Sequence, residues 1–493
     1  MATIQAAPPS WNFQPRKVGQ ALVEGGWSLD YPLGEINASP EFSFPLQLVY
    51  LNNRETRGLF GSQWFCPQLE SSLVPKGAGF LLWTMPSGGQ VGFKPNPKRQ
   101  NEFASFDGQW RASRSGVRCD ISNDEGWKFS YSKGRLDSVQ SPTGRVLEFL
   151  WSGSLGLSLQ ICDPASGARR VLLGLGFGDN RCASVLQING QNHQFGYIKD
   201  GTDERLSGWV LPIGNPVRFL YRADSGILLR AETLDGKKAT ESAEFTCVFV
   251  PPFQGNKPSV EQSPKKNPKN YWLKSDSAFD YEYPADPKIK DRFLADQVTA
   301  KAKTGLTLQV SQSTKRGIVT SKTGGAETKT YFYKAPGQKY DGKLRRVESD
   351  GQLKVEYRYD RKTGLLTESL DANGISTFFE YLENWKPARA PLMEPKPVRI
   401  TRGSRTKNEI IAEFGYNDFG QVVVAKDAAG QLTRYAYTPR GELSSVTGPD
   451  GTKTSFAYDA FGRRTSVARG DIKESVEFDD AGRVKARVAA STF

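Results

Sequence analysis

Short runs of alternating apolar and polar residues fill the last third of the chain, and aromatic residues recur within them at a fixed interval. In the run that ends at Tyr458, the rings of Phe456 and Tyr458 lie two positions apart, so they share one face of a predicted β-strand. The same aromatic position recurs at steps of 22, 35, 21, 21 and 20 residues, at Tyr359, Tyr381, Tyr416, Tyr437, Tyr458 and Phe478. A period near 21 residues predicts a repeat architecture. The Pro-rich run at 385–391 predicts an inserted loop in the one long step.

Turn-forming residues separate these runs. Asp459 and Gly462 hold the first and fourth positions of a four-residue window, which is the composition of a type I turn. Related windows lie at 417–420, 438–441 and 479–482, and a second set alternates with them at 371–374, 427–430 and 448–451. From Gly420 onwards a turn glycine follows every 10 or 11 residues. Strands joined by such short turns are antiparallel, so each repeat predicts a β-hairpin and the series predicts a long meander.

The repeat has a recognisable form. The pattern Gly-x-x-x-x-[Tyr/Phe]-x-Tyr-Asp-x-x-Gly-Arg, clearest at 451–464 and 351–366, resembles the YD repeat of the Rhs family. Earlier in the chain, an apolar strand at 44–50 is followed by Gly-Leu-Phe-Gly-Ser-Gln-Trp at 58–64, which resembles the segment that leads into the repeats of Rhs proteins. The family includes bacterial polymorphic toxins, cocoon components of insecticidal toxin complexes, and the animal teneurins.

The length of the array sets the predicted architecture. Residues 341–493 have room for about 14 strands, and twisted sheets of more than ~10 strands curl or close. We therefore predict an all-β fold, a long antiparallel meander of YD-repeat hairpins that curls into a full or partial hollow shell. The resemblance implies that such a shell surrounds a polypeptide cargo. Terminal strands of the sheet would be unprotected edges, able to pair with another chain.

Composition and repeats divide the chain into five predicted parts. Residues 1–40 are expected to be irregular, 41–250 to form an Rhs-like β region with degenerate repeats, and 251–270 to form a Pro/Lys-rich loop or linker. Residues 271–340 are a transition segment, and 341–493 are the YD-repeat array. The reading of 152–215 stays open, because its register is poor.

One short helix is predicted near 287–304, inside the transition segment. Asp286 suits the N-cap, Pro287 the first helical position, and Gly305 the C-terminal end. The apolar face of this helix would consist of Ile289, Phe293, Leu294 and Val298.

Charge is distributed unevenly along the chain. Residues 1–250 carry 25 basic and 23 acidic side chains, whereas 251–493 carry 41 and 30, so +11 of the net charge of +13 lies in the second half. The signs alternate along the repeats, which favours a solvated face, although a surface that binds an anionic partner stays open. No apolar run is long enough for a transmembrane helix, and the first residues do not form a Sec signal peptide.

Residues suited to catalysis are scarce. His193 is the only histidine, which excludes sites built from several histidines, and its place after an Asn-Gly turn predicts a turn or surface position. The glycines of 174–178 lack the spacing of a dinucleotide-binding loop. The repeat Asp residues are expected to accept backbone hydrogen bonds in their turns. No catalytic, cofactor-binding or metal-ligating residue is therefore assigned, and no cofactor is expected.

Five widely spaced cysteines form no CxxC pair. An odd number without close spacing favours buried free thiols over a disulfide framework. They are Cys66, Cys119, Cys162, Cys182 and Cys247.

These observations give one leading hypothesis and one alternative. The leading hypothesis is a non-enzymatic shell or scaffold that encapsulates or presents a partner polypeptide. By resemblance it would belong to a toxin-type or cell-surface system and be extracellular or on the cell surface, with a cytoplasmic stage before export. The alternative is an adhesin-like repeat module that binds a glycan or another anionic ligand. The core segment with an Asp-based self-cleavage site, and the toxin that follows it in many relatives, find no matching residues here.

Overall fold

Nearly all regular structure in this chain is β-strand. The computed structural model describes residues 27–491 except for 40–41, 53, 55–56, 107–109, 124–125, 154, 202, 224, 251–252, 255–256, 259–270, 277, 289–292, 295–296, 305–308, 314–316, 336–337, 339, 383–394, 405–406, 419 and 480–483. Within the described residues, helical structure is limited to one 3-10 turn at Gly77–Gly79. The all-β prediction is therefore confirmed.

The first twenty strands form two sheets. The N-terminal sheet consists of β1 (Ser28–Asn37), β2 (Ser43–Leu51) and β3 (Trp64–Phe65). The barrel consists of β4 (Ser72–Pro75), β5 (Leu81–Thr84), β6 (Gln90–Pro95), β7 (Glu102–Ser105), β8 (Trp110–Ser115), β9 (Arg118–Asn123), β10 (Lys128–Ser132), β11 (Arg135–Gln140), β12 (Val146–Trp151), β13 (Gly156–Asp163), β14 (Ala168–Phe177), β15 (Ala183–Ile188), β16 (Gln191–Asp200), β17 (Asp203–Val210), β18 (Val217–Tyr221), β19 (Leu228–Asp235) and β20 (Lys238–Glu244).

The remaining strands form one 20-stranded sheet, the repeat array, and a small separate hairpin. The hairpin is β22 (Phe253–Gln254) with β23 (Lys257–Pro258). The repeat array consists of β21 (Thr246–Phe249), β24 (Tyr271–Ser275), β25 (Phe279–Glu282), β26 (Gln297–Ala302), β27 (Gln309–Ser313), β28 (Ile318–Thr323), β29 (Ala326–Phe332), β30 (Leu344–Ser349), β31 (Gln352–Tyr359), β32 (Leu366–Asp371), β33 (Ser376–Tyr381), β34 (Pro397–Gly403), β35 (Asn408–Tyr416), β36 (Val422–Asp427), β37 (Leu432–Tyr437), β38 (Leu443–Thr447), β39 (Lys453–Tyr458), β40 (Arg464–Arg469), β41 (Ile472–Phe478) and β42 (Val484–Ser491).

The barrel closes where its sheet divides at β11. The first residue of β11, Arg135, pairs with Ser72 of β4, while the last three residues of the same strand pair with β12. Strands β4–β11 therefore complete a ring, and β12–β20 continue away from it as an antiparallel meander. The ring holds an aromatic cluster in which Trp83 contacts Phe129 with ring centres 5.1 Å apart.

The N-terminal sheet packs against strands β17–β19 of the barrel. Tyr31 of β1 meets the ring of Trp209 with centres 5.7 Å apart. The Tyr50 hydroxyl accepts a hydrogen bond from the backbone N–H of Leu228 at 3.1 Å. Trp64 donates through Nε1 to the Tyr221 hydroxyl at 2.7 Å. These side chains belong to one continuous hydrophobic core that also includes the first strands of the repeat array.

The repeat array curls because each hairpin that carries the repeat aromatic residue contains a β-bulge in the same place. Wherever a strand ends in the repeat aromatic residue, the register to the next strand shifts by one residue, as between Ala436 and Tyr437 and between Ala457 and Tyr458. Two residues of the following strand then lie opposite one, which bends the sheet and increases its twist. Since successive bulges lie at the same end of alternate strands, their bends add in one direction.

The predicted helix near 287–304 is wrong over the residues that the structure describes, while 289–292 and 295–296, with Ile289, lie outside them. Gln297–Ala302 is strand β26, paired on one side with β25 and on the other with β27, with Val298 and Ala300 buried. Asp286 caps a turn, since its carboxylate accepts a hydrogen bond from the backbone N–H of Lys288 at 2.8 Å. Apolar residues four positions apart share one face in a helix and also in a strand, so the spacing alone does not decide between them. Here the strands on both sides, β25 and β27, provide the backbone hydrogen-bond partners of the segment.

Other expectations differ from the structure or lie outside the described residues. Residues 1–40 were expected to be irregular, but Ser28–Asn37 forms a ten-residue strand. The open segment 152–215 contains strands β13–β17. The loop proposed at 385–391, most of the linker at 251–270, the turn at 480–482 and residues 1–26 lie outside the described part of the chain.

Candidate functional site: the wall formed by the repeats

The repeat tyrosines join each hairpin to the one before it. Each hydroxyl donates a hydrogen bond to the backbone carbonyl of the residue that opens the preceding strand. The pairs are Tyr359 to Leu344 at 3.0 Å, Tyr381 to Leu366 at 2.8 Å, Tyr416 to Pro397 at 2.7 Å, Tyr437 to Val422 at 2.7 Å and Tyr458 to Leu443 at 2.8 Å. Burial raises the pKa of Tyr416 and Tyr437 to about 12, so these phenols stay protonated donors at neutral pH.

The same hydrogen bond, from an aromatic side chain to a backbone carbonyl of the preceding strand, also occurs in the barrel, where the sequence repeats are degenerate. The Tyr221 hydroxyl donates to the Leu206 carbonyl at 2.5 Å. The indole Nε1 of Trp151 donates to the Leu136 carbonyl at 3.0 Å, also across fifteen residues. Indole has replaced phenol at this position while the hydrogen bond is kept. The barrel and the repeat array are therefore built from the same hairpin unit.

The repeat Asp residues hold the turns together, as predicted from the sequence. The Asp459 carboxylate accepts hydrogen bonds from the backbone N–H groups of Phe461 and Arg463 at 2.9 and 3.0 Å. The Asp427 carboxylate makes the equivalent pair of bonds to Ala429 and Gln431. These bonds give the recurring Asp residues a structural role in their turns.

A second set of bonds joins a turn to the turn of the next repeat at four places. A long side chain donates to a backbone carbonyl of the next turn, in the pairs Lys343 Nζ to Gly364 at 2.7 Å, Lys396 Nζ to Gly420 at 2.9 Å, Gln421 Nε2 to Gly441 at 2.7 Å and Arg440 Nη1 to Ala460 at 3.1 Å. The turns linked in this way form a rim along one edge of the array.

Ion pairs cross the strands on the face opposite the repeat tyrosines. Arg358 pairs with Glu368 at 3.0 Å, and Glu413 lies between Arg399 at 3.0 Å and Lys426 at 3.2 Å. Opposite charges at directly paired cross-strand positions stabilise a sheet modestly. This arrangement favours the solvated charged face over a continuous basic stripe.

The rim of the array returns to the barrel at one place, which we call the seam. It joins the β11–β12 turn and strands β13–β14 of the barrel to the β37–β38 and β39–β40 turns of the array. Fully buried Arg145 pairs with Glu442 and donates through Nε to the Ala460 carbonyl at 3.0 Å. Arg440 pairs with the buried carboxylate of Asp163 at 2.8 Å. More than 270 residues of chain separate the partners. The repeat array therefore returns to the barrel, and we call the closed surface that the two form together the wall.

The pKa values of the two buried carboxylates at the seam depend on the groups that hydrogen-bond to them. Burial acts to raise the pKa of Glu442, but hydrogen bonds from Thr438 and Arg145 hold it below its usual value. Burial opposes ionisation of Asp163 as well, and bonds from Ser166 and Arg440 keep its pKa low. The carboxylates of Glu442 and Asp163 are therefore ionised at neutral pH.

Arg170 links three parts of the molecule next to the seam. Its guanidinium donates to the carbonyls of Asn37 and Ala38, both at 3.0 Å, and lies 5.4 Å from the ring centre of Phe461. Burial, together with the nearby charge of Arg463, lowers the pKa of Arg170 to about 10. The end of the N-terminal sheet, the barrel and the array thus meet at one cation.

His193 occupies a different place from the one expected. It lies in strand β16 and is 5% exposed, so the prediction of a turn or surface position is wrong. Trp209 donates through Nε1 to its Nδ1 at 3.1 Å, and the imidazole also hydrogen-bonds to the backbone of Leu33. Burial lowers the pKa of His193. This histidine therefore joins the N-terminal sheet to the barrel.

The cysteines are free thiols, as predicted. Four are buried and Cys247 is partly buried. Within the described residues no three His, Cys, Asp or Glu side chains come together as metal ligands. The described part of the chain also contains no helix that is long and apolar enough to cross a membrane.

The geometry defines a class of protein: a repeat-built β-wall that curls back on its own first half. The family model named RHS Repeat matches residues 416–453 and 437–471, which cover the hairpins between Tyr416 and Asp471. Residues 416–471 therefore match Rhs repeats, and the hairpins that share the same tyrosine bond and the same bulge extend the resemblance to the Rhs/YD-repeat family beyond them.

Solved structures of toxin complexes resemble the chain at low identity. The Photorhabdus luminescens Tc holotoxin pore is 10% identical over 90% of this chain, with a TM-score of 0.40. Two crystal structures of TcdB2–TccC3 assemblies are 9% and 10% identical over 89% and 93% of the chain, with TM-scores of 0.42 and 0.39. The chain spans 24%, 27% and 29% of the length of these three solved chains.

Proposed function

We propose that this chain is a non-enzymatic wall that encloses a partner polypeptide. The observation that carries the proposal is the seam, because a sheet whose rim returns to its own barrel bounds an enclosed space. Arg145 and Glu442 meet across 297 residues of sequence, and Arg440 and Asp163 meet beside them. A flat or open array would leave these four groups far apart.

The chemistry of the wall supports a structural role. The titratable groups of the repeats hold turns and strands together, and His193 joins two sheets inside the core. Four of the cysteines are buried and Cys247 is partly buried, and burial raises the pKa of the thiols, as for Cys66, which disfavours a nucleophilic thiolate. We infer that the wall serves to enclose its partner and that any catalytic activity resides in the partner polypeptide.

A polypeptide partner fits this wall better than a small ligand. The tyrosine-bearing face of the array carries partly exposed aromatic and apolar side chains, such as Val355, Tyr357 and Tyr435, spread over many hairpins. A broad surface of this kind suits an extended chain more than a compact molecule. By family resemblance the assembly would be exported and act outside the cell.

The proposal is tested by protease protection. The chain is co-expressed with the polypeptides encoded next to it, and each is exposed to trypsin with and without the chain. We expect one of them to co-purify with the chain and to survive at least about tenfold longer than alone, because a folded wall excludes the protease. Equal digestion with and without the chain, for every neighbouring product, would contradict enclosure. Saturable binding to a glycan array without protection would favour an adhesin instead.

A further inference from the structure

The array is attached to the rest of the molecule at two places that differ in chemistry. At its first strands the attachment is apolar, because Tyr271, Leu273 and Tyr281 belong to the same hydrophobic core as the barrel. Asn52 adds one hydrogen bond to the Tyr271 carbonyl at 3.0 Å. We call this attachment the root. At the seam the contacts are mainly charged.

The seam matches two turns of the same kind against each other. Thr438-Pro439-Arg440-Gly441-Glu442 of the array faces Ser141-Pro142-Thr143-Gly144-Arg145 of the barrel. Arg145 donates to the Ala460 carbonyl, which also accepts from Arg440, the donor of the preceding array turn. The barrel turn therefore takes part in the rim as one more repeat would. It joins the rim through side chains, with no strand pairing among the described residues of the two sheets.

Opening these two attachments has different energetic consequences. Separating the root would expose apolar surface to water, which is unfavourable in proportion to the area exposed. Separating the seam would return Arg145, Glu442, Asp163 and Arg440 to water, and the hydration of four charges offsets most of the lost Coulomb attraction. The seam is therefore the weaker closure.

From this contrast, and resting on the proposed function, we propose that the wall opens at the seam while the root acts as the hinge. The array would swing away from strands β11–β14 as one curved sheet, because its bulged hairpins stay bonded to one another. Only side-chain contacts break in this movement, and no strand pair has to separate. The seam is thus the passage through which an enclosed polypeptide enters or leaves.

The seam is tested with Glu442→Gln, which removes the carboxylate that neutralises buried Arg145. Leaving one charge of a buried pair without its partner favours the open, hydrated state. By hydrogen exchange followed by mass spectrometry, we expect exchange in the 438–442 and 459–463 turns to quicken at least about tenfold. Exchange in Tyr271–Ser275 at the root should stay as in the unaltered chain.

The matched control is Glu413→Gln, which removes a carboxylate of the same kind from the middle of the wall, where it pairs with Arg399 and Lys426. It should leave exchange at the seam unchanged. Faster exchange at the root and the seam together in Glu442→Gln, or unchanged exchange at the seam, would overturn the proposal.

A second measurement, protease digestion of the enclosed polypeptide, tests whether the seam is the passage. In the co-purified complex, the enclosed polypeptide should be digested faster with Glu442→Gln than with Glu413→Gln. If no polypeptide is enclosed, the proposed function fails, but the exchange pattern still decides whether the seam opens. If the polypeptide is enclosed and both variants protect it equally, it passes elsewhere and the seam is not the passage.

Discussion

At the scale of a single residue, His193 couples folding to pH. Its Nδ1 accepts a hydrogen bond from Trp209 and cannot do so once protonated, so the folded chain favours the neutral imidazole. Burial lowers its pKa, whereas an unfolded chain binds the proton near pH 6.5. The stability that this residue contributes is therefore complete above about pH 6.5 and is lost as the pH falls towards its folded pKa.

We expect the midpoint of urea unfolding to fall between pH 7 and pH 5, and to fall less in His193→Gln. Gln can accept from Trp209 and donate to the Leu33 backbone without taking up a proton. An equal fall in both proteins would show that His193 does not cause the dependence. The sequence could not reveal this role, because the neighbouring Asn-Gly turn points to the surface and Trp209 lies sixteen residues away.

At the scale of the element, the tyrosine hydroxyl fixes each hairpin to the one before it. Tyr437→Phe removes the 2.7 Å bond to the Val422 carbonyl and should destabilise that part of the array by about 1 kcal/mol, or roughly fivefold in local opening. The measurement is hydrogen exchange in β36–β38. Tyr435→Phe is the matched control, because its hydroxyl makes no hydrogen bond within the described residues. An equal effect of both changes would mean that the hydroxyl adds nothing beyond ring packing.

The hairpins could be predicted from the sequence because their causes are local. Gly441 and Gly462 have positive φ values of 91° and 74° in their turns, which only glycine adopts easily, and the side chains of Thr438 and Asp459 accept backbone hydrogen bonds within these turns. The helix near 287–304 was wrong because Leu294 and Val298, four positions apart, fit both a helical and a strand spacing, and only the pairing of β26 with its neighbours decides between them. The bulge beside each tyrosine has no sequence signal of its own, although it causes the curl.

At the scale of the whole molecule, closure depends on contacts that no local pattern contains. Arg145, Asp163, Arg440 and Glu442 are ordinary charged residues in the sequence, and only the curvature summed over many hairpins brings them together. The family resemblance implied a shell, but not where it meets itself. The same holds for the N-terminal sheet, whose burial against the barrel depends on residues more than 150 positions away.

The two halves of the molecule should also differ in stability. Trp27, Trp64 and Trp83 are almost fully buried in the core around the barrel, whereas strands of the array such as β37 and β39 keep partly exposed residues on both faces. Repeat arrays with contacts mainly between neighbours open piecewise, without one cooperative transition.

Most tryptophans lie at or before Trp209, so their fluorescence reports on the barrel, while far-UV circular dichroism reports on all strands. In increasing urea we expect the dichroism signal to decline before the tryptophan emission shifts. Coincident transitions by both probes would instead mean that seam and root bind the two halves into one cooperative unit.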